Sequence, residues 1–285
     1  MHTSAILLLH CPDQKGLVAA ITKFIADNGG NVLSLEQHVD SQINEFFMRV
    51  QWDLAAFAIP REKIGDYFKT LVADRLNMNW KLHFSDERLR MALFVSKPAH
   101  CLYEILGRVQ GGEWAVDLPL ILSNHADHAS VAARFGIPFH HFPIDKENRE
   151  AQEQTQIALL NESKIDLVVL ARYMIIVGAP FVREYSGRMI NIHHAFLPAF
   201  IGARPYHRAY DRGVKLIGAT AHYVTADLDE GPIIEQDVVR VTHRDSVEDL
   251  TRMGGDVEKL VLSHAIRRHV ARKTIVFNNR VVVFA

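Results

Sequence analysis

The chain predicts an α/β protein in two parts: a small βαββαβ unit, then a larger unit on a mainly parallel sheet covered on both faces. Three observations carry this. Short apolar runs alternate with apolar stripes at helical spacing along the 285 residues. The first part reads strand, helix, strand, strand, helix, strand, whereas later strands and helices alternate one for one. A charged hexamer, Ser85-Asp86-Glu87-Arg88-Leu89-Arg90, lies between two strand-like runs and sets a boundary between residues 1–84 and 85–285.

In the first unit, Ser4 to His10 is a buried strand around Ala5-Ile6-Leu7-Leu8-Leu9, and Cys11 to Gly16 is a turn. Leu17, Ala20, Ile21, Phe24 and Ile25 form the stripe of a helix that Gly29-Gly30 closes. Asn31 to Asp40 and Glu45 to Asp53 are strands about a turn at Ser41-Gln42. Pro60 opens a second helix with Ile64, Tyr67, Phe68, Leu71 and Leu76 on one face. Asn79 to Phe84 is the last strand, and the order is that of a ferredoxin-like unit.

In the second unit the expected strands are 91–95, 118–123, 139–144 and 166–171, and the expected helices 99–110, 126–135 and 147–161. A strand from Arg188 to Ile192 follows. Then come antiparallel strands over 215–225 and 233–242, a long helix opened by a capping box at Ser246-x-x-Asp249, and a terminal hairpin about Asn278-Asn279. In such sheets ligands bind outside the carboxyl ends of the strands.

Composition narrows the function. With 48% hydrophobic residues the chain packs a core, and 32 basic against 33 acidic residues give a net charge of −1, which asks for neither nucleic acid nor an anionic membrane. The longest apolar stretch, Leu167 to Val182, is interrupted by Arg172 and Gly178 and is too short to span a bilayer. No secretory signal is evident. Cys11 and Cys101 are far apart and show no metal-ligand spacing, so a reduced cytoplasmic setting and no metal are expected. Ser96-Lys97-Pro98 follows the first strand of the second unit, where a nucleotide-binding fold would place glycines.

The candidate chemistry lies between Met189 and Gln236. Asn191 and His193 are two apart on a strand and face the same way. Asp229 lies 38 residues beyond Asn191, at a turn marked by Gly231 and Pro232. An amide donor, an imidazole and a carboxylate together can hold a carbonyl and move one proton, which is acyl-group chemistry. Each has a structural alternative. The chain has sixteen histidines, and a single one is more often a satisfied core or surface residue.

Asn191-x-His193, then Leu197-Pro198, His222 and Leu228-Asp229-x-Gly231-Pro232-Ile233-Ile234, resemble the pattern of formyltetrahydrofolate-using enzymes. His194 and Ala203-Arg204-Pro205-Tyr206-His207 resemble the deformylase branch, and the likeness covers residues 90–285. It implies a Rossmann-like, formyltransferase-type unit that hydrolyses 10-formyltetrahydrofolate to formate and tetrahydrofolate, with no cofactor beyond that substrate. Asn191 would donate to the formyl oxygen and His193 would stabilise or protonate the oxyanion. Asp229 would orient the imidazole, raise its pKa and help with the proton of water. The pterin would lie against Met174, Ile175, Ile176 and Val177 and against Thr225, Ala226, Asp227 and Leu228; plain core packing is the alternative for the first four. Arg204 is either a partner for the glutamate tail or a solvated surface residue.

Asp13-x-x-Gly16-Leu17, between the first strand and helix, resembles an ACT domain. That implies a regulatory or oligomerisation unit over 1–84, an amino-acid effector near Asp13, Gly16 and Leu17, and a homo-oligomer, dimer or tetramer. The alternative is that Gly16 only permits a turn. Two departures stand out. Ala195 occupies a position that is usually Ser, and Val177-Gly178-Ala179-Pro180 replaces the usual Leu-Ser-Pro. Two other functions compete with hydrolysis: formyl transfer to an amine such as glycinamide ribonucleotide, and a folate sensor without catalysis.

Overall fold

A computed structural model describes residues 3–145, 147–199 and 204–285. The chain clusters into two compact units. Unit 1 comprises residues 1–87 together with 271–275 and 282–285, and unit 2 comprises 88–270 with 276–281. The first division falls just past the expected one, inside the charged hexamer. The return of the chain's last residues to unit 1 has no local sequence signal.

Unit 1 is a four-stranded antiparallel sheet in the order β2-β3-β1-β4, formed by β1 (Ser4–Pro12), β2 (Asn31–Asp40), β3 (Glu45–Asp53) and β4 (Asn79–Phe84). Strand alternation sends Ala5, Leu7, Leu9 and Cys11 to the face covered by α1 (Leu17–Asp27), where Ile21, Phe24 and Ile25 meet them. The single helix expected after Pro60 is instead a 3-10 turn, the short α2 (Ile64–Phe68), a π turn and a second 3-10 turn. Of the expected face, Ile64 and Phe68 reach the core and Leu76 packs against it, but Tyr67 and Leu71 are exposed, and Val72 and Ala73 are buried instead. On the sheet's other face Arg49 Nε donates to the Arg272 carbonyl at 3.0 Å, and the Ala285 N–H donates to Glu36 at 2.6 Å.

Unit 2 is a seven-stranded sheet in the order β11-β10-β9-β8-β5-β6-β7. Its strands are β5 (Leu89–Val95), β6 (Val116–Ser123), β7 (Phe139–His141), β8 (Leu167–Ala171), β9 (Met189–His193), β10 (Leu216–Tyr223) and β11 (Ile233–Arg240). The first five pair in parallel, and β10 is antiparallel to both neighbours. Strand β5 is buried but for half-buried Arg90. Met91, Leu93 and Val95 pack with α3 (His100–Gln110) and α8 (Val247–Val270) on one face. Ala92 and Phe94 pack with Leu160 of α5 (Arg149–Glu162) and Phe181 of α6 (Ala179–Glu184) on the other. The remaining helices are α4 (Ala129–Arg134) and α7 (Pro205–Arg212). The capping box opens α8 as expected: Asp249 N–H donates to Ser246 Oγ, and Ser246 N–H donates back to the Asp249 carboxylate, both at 3.1 Å. The terminal hairpin pairs β12 (Thr274–Phe277) with β13 (Arg280–Val283). Strand order reverses between β5 and β8, so a crevice opens at their carboxyl ends.

Candidate active site

Strand β9 ends in that crevice. Asn191 and His193 share one side of it, and both line a cavity of about 350 Å³ with Asp229. His193 Nδ1 lies 3.1 Å from Asp229 Oδ2. That contact places the ring proton on Nδ1 and leaves Nε2 buried and without a partner among the described residues, free to accept a proton. Burial alone would raise the Asp229 carboxyl, but His193 and His222 outweigh it and hold it well below the usual carboxylate range. Asp229 thus remains an anion.

The backbone around Asp229 is built to present it. Its φ is 58°, left-handed for a residue with a β-carbon. The turn then closes on β10 so tightly that a β-carbon at Gly231 would overlap the Tyr223 carbonyl. His222 sits opposite Asn191 in the β9–β10 register. Its Nδ1–H donates to the Tyr223 carbonyl at 3.0 Å, so Nε2 accepts from the Asn191 amide at 3.2 Å. His222 therefore orients Asn191 with its amide nitrogen as a donor. His222 Nε2 is 3.6 Å from Asp229 Oδ1, too long for a hydrogen bond.

All eight residues expected to wall the cavity line it: Met174, Ile175, Ile176 and Val177 on one side, Thr225, Ala226, Asp227 and Leu228 on the other. Met174, Ile176 and Leu228 are each 55% exposed, so both sides offer uncovered apolar surface. The Met174 loop is pinned at three points. Ser96 Oγ accepts from the Met174 N–H at 2.9 Å, Arg149 donates to the Ile176 carbonyl, and buried Glu153 accepts from the Gly178 N–H at 3.0 Å. A β-carbon at Gly178 would displace the Glu153 carboxylate that accepts from its N–H, which gives the Gly in Val177-Gly178-Ala179-Pro180 a local role. Ser96, in place of a glycine-rich loop, is buried and also donates to Asn124.

Ala195 lines a neighbouring apolar pocket, not the cavity of the trio, so a missing hydroxyl there takes no group from the catalytic trio's cavity. Of the run Phe200-Ile201-Gly202-Ala203, all four positions lie outside the described residues. Arg204 lines the cavity and is exposed. In unit 1, Gly16 takes a φ of 93° before α1, Leu17 is buried in the core and Asp13 binds the Asn44 carbonyl through its backbone at 2.9 Å.

A buried cluster beside the cavity has no counterpart in the sequence reading. Glu258 of α8 accepts from the Tyr206 hydroxyl at 2.6 Å and contacts His100 Nε2 at 2.7 Å and Arg172 Nε at 3.3 Å. Gly254, inside α8, makes room for the Tyr206 ring, which explains a glycine where helix propensity disfavours one. His100, Cys101 and Glu258 bring one donor atom each within 4.8 Å of one another, a spacing a metal ion could use, but Glu258 already serves three side chains. Arg172 lines the catalytic cavity. No sequence signal links residues 100, 172, 206 and 258; only the fold assembles them.

The family model for formyl transferases matches residues 89–266 and that for ACT domains matches residues 5–51. The chain is 53% identical over 282 residues to the formyltetrahydrofolate deformylase of Synechocystis, covering 99% of each, and 44% identical over 279 residues to that of Bacillus subtilis, covering 98% of this chain and 93% of the relative. A crystal structure of a formyltetrahydrofolate deformylase from Pseudomonas syringae superposes with a TM-score of 0.97 at 41% identity, over 100% of this chain and 95% of that one. A glycinamide ribonucleotide transformylase from Symbiobacterium toebii superposes at 0.67 and 32% identity, over 72% of this chain and 98% of that one.

Proposed function

The chain belongs to the formyltetrahydrofolate deformylase family, and from that premise we propose that it hydrolyses 10-formyltetrahydrofolate to formate and tetrahydrofolate. The observation that carries this is the His193–Asp229 pair, with its free Nε2 buried at the end of an apolar-walled cavity. The pterin lies between Met174–Val177 and Thr225–Leu228. The Asn191 amide donates to the formyl oxygen. His193 Nε2 takes a proton from water as the oxygen attacks the formyl carbon. The imidazolium, steadied by Asp229, returns that proton to N10 as the C–N bond breaks. The steps use side chains and water alone, so neither metal nor cofactor takes part. Formate release from 10-formyltetrahydrofolate without an acceptor, unchanged after dialysis against a chelator, is the expected result; no release defeats the reading.

Formyl transfer is the second reading, favoured by the transformylase likeness of unit 2. Ser96 argues against it, because its hydroxyl ties the cavity wall where a transferase would cradle a phosphate. With glycinamide ribonucleotide in excess, formylated ribonucleotide forming faster than formate would give the assignment to transfer.

The ACT match supports unit 1 as a regulatory and oligomerisation module, with an amino-acid effector near Asp13, Gly16 and Leu17. Edge strand β2 leaves Val32, Leu33 and Val39 exposed, which suits pairing into a dimer or tetramer. Light scattering that finds a monomer at micromolar concentration removes this. No helix among the described residues is long and apolar enough to cross a membrane. Two buried free cysteines suit the reducing cytoplasm, where we place the reaction.

A further inference from the structure

The mechanism above uses neither Arg172 nor the cluster that holds it. Arg172 follows β8 directly and lines the cavity of Asn191, His193 and Asp229. Its φ of 61° is left-handed, a conformation that a residue with a β-carbon keeps only where its surroundings impose it. The side chain is 13% exposed, with Nε 3.3 Å from Glu258 Oε2. Even so, neither Nε nor Nη1 has a hydrogen-bond partner among the described residues.

Glu258 does not supply the missing acceptors: its Oε2 faces Nε as an ion pair, without a hydrogen bond. Its Oε1 takes the Tyr206 hydroxyl at 2.6 Å, and its Oε2 is in contact with His100 Nε2 at 2.7 Å. The guanidinium is therefore held by charge, with donors to spare. A buried donor without an acceptor is costly, and a planar guanidinium fork matches a carboxylate.

Hydrolysis makes such a carboxylate in this cavity. The water oxygen bonds to the formyl carbon, and the bond from that carbon to N10 breaks. N10 keeps the electron pair and takes a proton, and the formic acid formed gives up its proton to leave formate. This anion arises beside His193 and faces Asp229, a carboxylate held ionised that repels it. His194 supplies no positive charge to this anion. Its ring packs 5.2 Å from that of His193, and burial first, then the charge of Arg172, push it down to about 4, so it is neutral at pH 7.

We propose that Arg172 is the formate-holding residue of this site, a subsite for a small carboxylate, with Glu258 as the residue that positions its guanidinium. The proposal rests on the hydrolytic reading, but its test needs no turnover. Labelled formate is titrated into the full-length protein, and binding is read from the broadening of its carbon resonance. The native protein is expected to show one saturable site. Arg172→Gln weakens it at least tenfold, and Arg172→Lys, which keeps the charge, recovers part of the loss. Thermal melting confirms that each variant is folded, and the constant for product inhibition by formate rises in step with the dissociation constant. No saturable site in the native protein overturns the proposal. So does an Arg172→Gln affinity within twofold of native, or loss of the site in Arg204→Gln with Arg172→Gln intact. A protein that binds formate through Arg172 yet releases none from 10-formyltetrahydrofolate defeats the hydrolytic reading and leaves this subsite standing.

Discussion

The turn at Gly16 and the cavity turns at Arg172 and Asp229 meet the same backbone demand in opposite ways. All three residues take left-handed angles, with φ of 93°, 61° and 58°. A β-carbon at Gly16 would meet nothing within 4 Å, so only the angle calls for glycine there. At Arg172 and Asp229 the chain takes the left-handed angle and keeps a side chain that lines the cavity. A left-handed residue other than glycine at the carboxyl end of a sheet is thus a pointer to chemistry, whereas a left-handed glycine in a helix lead-in is a pointer to folding.

The comparison breaks or sharpens under substitution. The largest effect is expected where a strained side chain loses its counter-charge. Glu258→Ala leaves the Arg172 cation buried and unpaired, at a cost of about 3–5 kcal/mol, read as a fall in the melting temperature. Native-like melting would mean that the cluster is solvated and weak. Next is Asp229→Gly, which relaxes the backbone and deletes the carboxylate. A fall in kcat of about a hundredfold or more is expected, with the chain still folded, and the same drop is expected for His193→Ala. Turnover within tenfold of native would show that the angle, not the carboxylate, is what matters at 229. His222→Phe frees the Asn191 amide to turn, and kcat should fall about tenfold with KM little changed; an unchanged kcat removes the orienting role.

Acid should weaken each unit through one histidine. Burial, first among the causes, lowers both His83 in unit 1 and His194 in unit 2 to about 4. In the unfolded chain these imidazoles bind protons near pH 6.5 and in the folded chain only near 4, so the unfolded state holds more protons between the two. Their stabilising contribution is full above about pH 6.5 and is lost as pH falls towards 4. Asp229 stays ionised in the folded chain, but its unfolded carboxyl takes up protons below about pH 5, so it steepens only the acid end of that window. Melting at pH 7, 5.5 and 4.5 checks this, and His194→Gln should flatten part of the decline. The smallest effect is Gly16→Ala, at about 1–2 kcal/mol of backbone strain, or a few degrees of melting temperature.

What the residues made legible follows the range of each signal. Strands β2, β3 and β4 match their expected ends because alternation and turn residues act within a few positions. Helices α6 and α7 were not anticipated. They span six and eight residues, too few for a stripe to show, and owe their stability to tertiary contacts such as Phe181 and Tyr206. The long helix expected after Pro60 fails because the backbone changes pitch along the way, which leaves Tyr67 and Leu71 exposed and buries Val72 and Ala73. The trio and the walls are legible because their residues sit in three short runs, 174–177, 191–193 and 225–229. Arg172 could be seen only as a charge interrupting an apolar stretch, since its partner lies 86 residues further on.

The return of residues 271–275 and 282–285 to unit 1 carries a consequence in time. Residues 3–87 are synthesised before residues 271–285, yet Arg49 and Glu36 on the sheet of unit 1 meet Arg272 and Ala285 only when those later residues have emerged. At ribosomal speeds of about 5–20 residues per second, that wait is on the order of 10–40 s. For that interval one face of the nascent sheet stands without its final cover. Chains arrested shortly after Leu89 should therefore be more readily cut by protease within β1 to β4 than the finished protein.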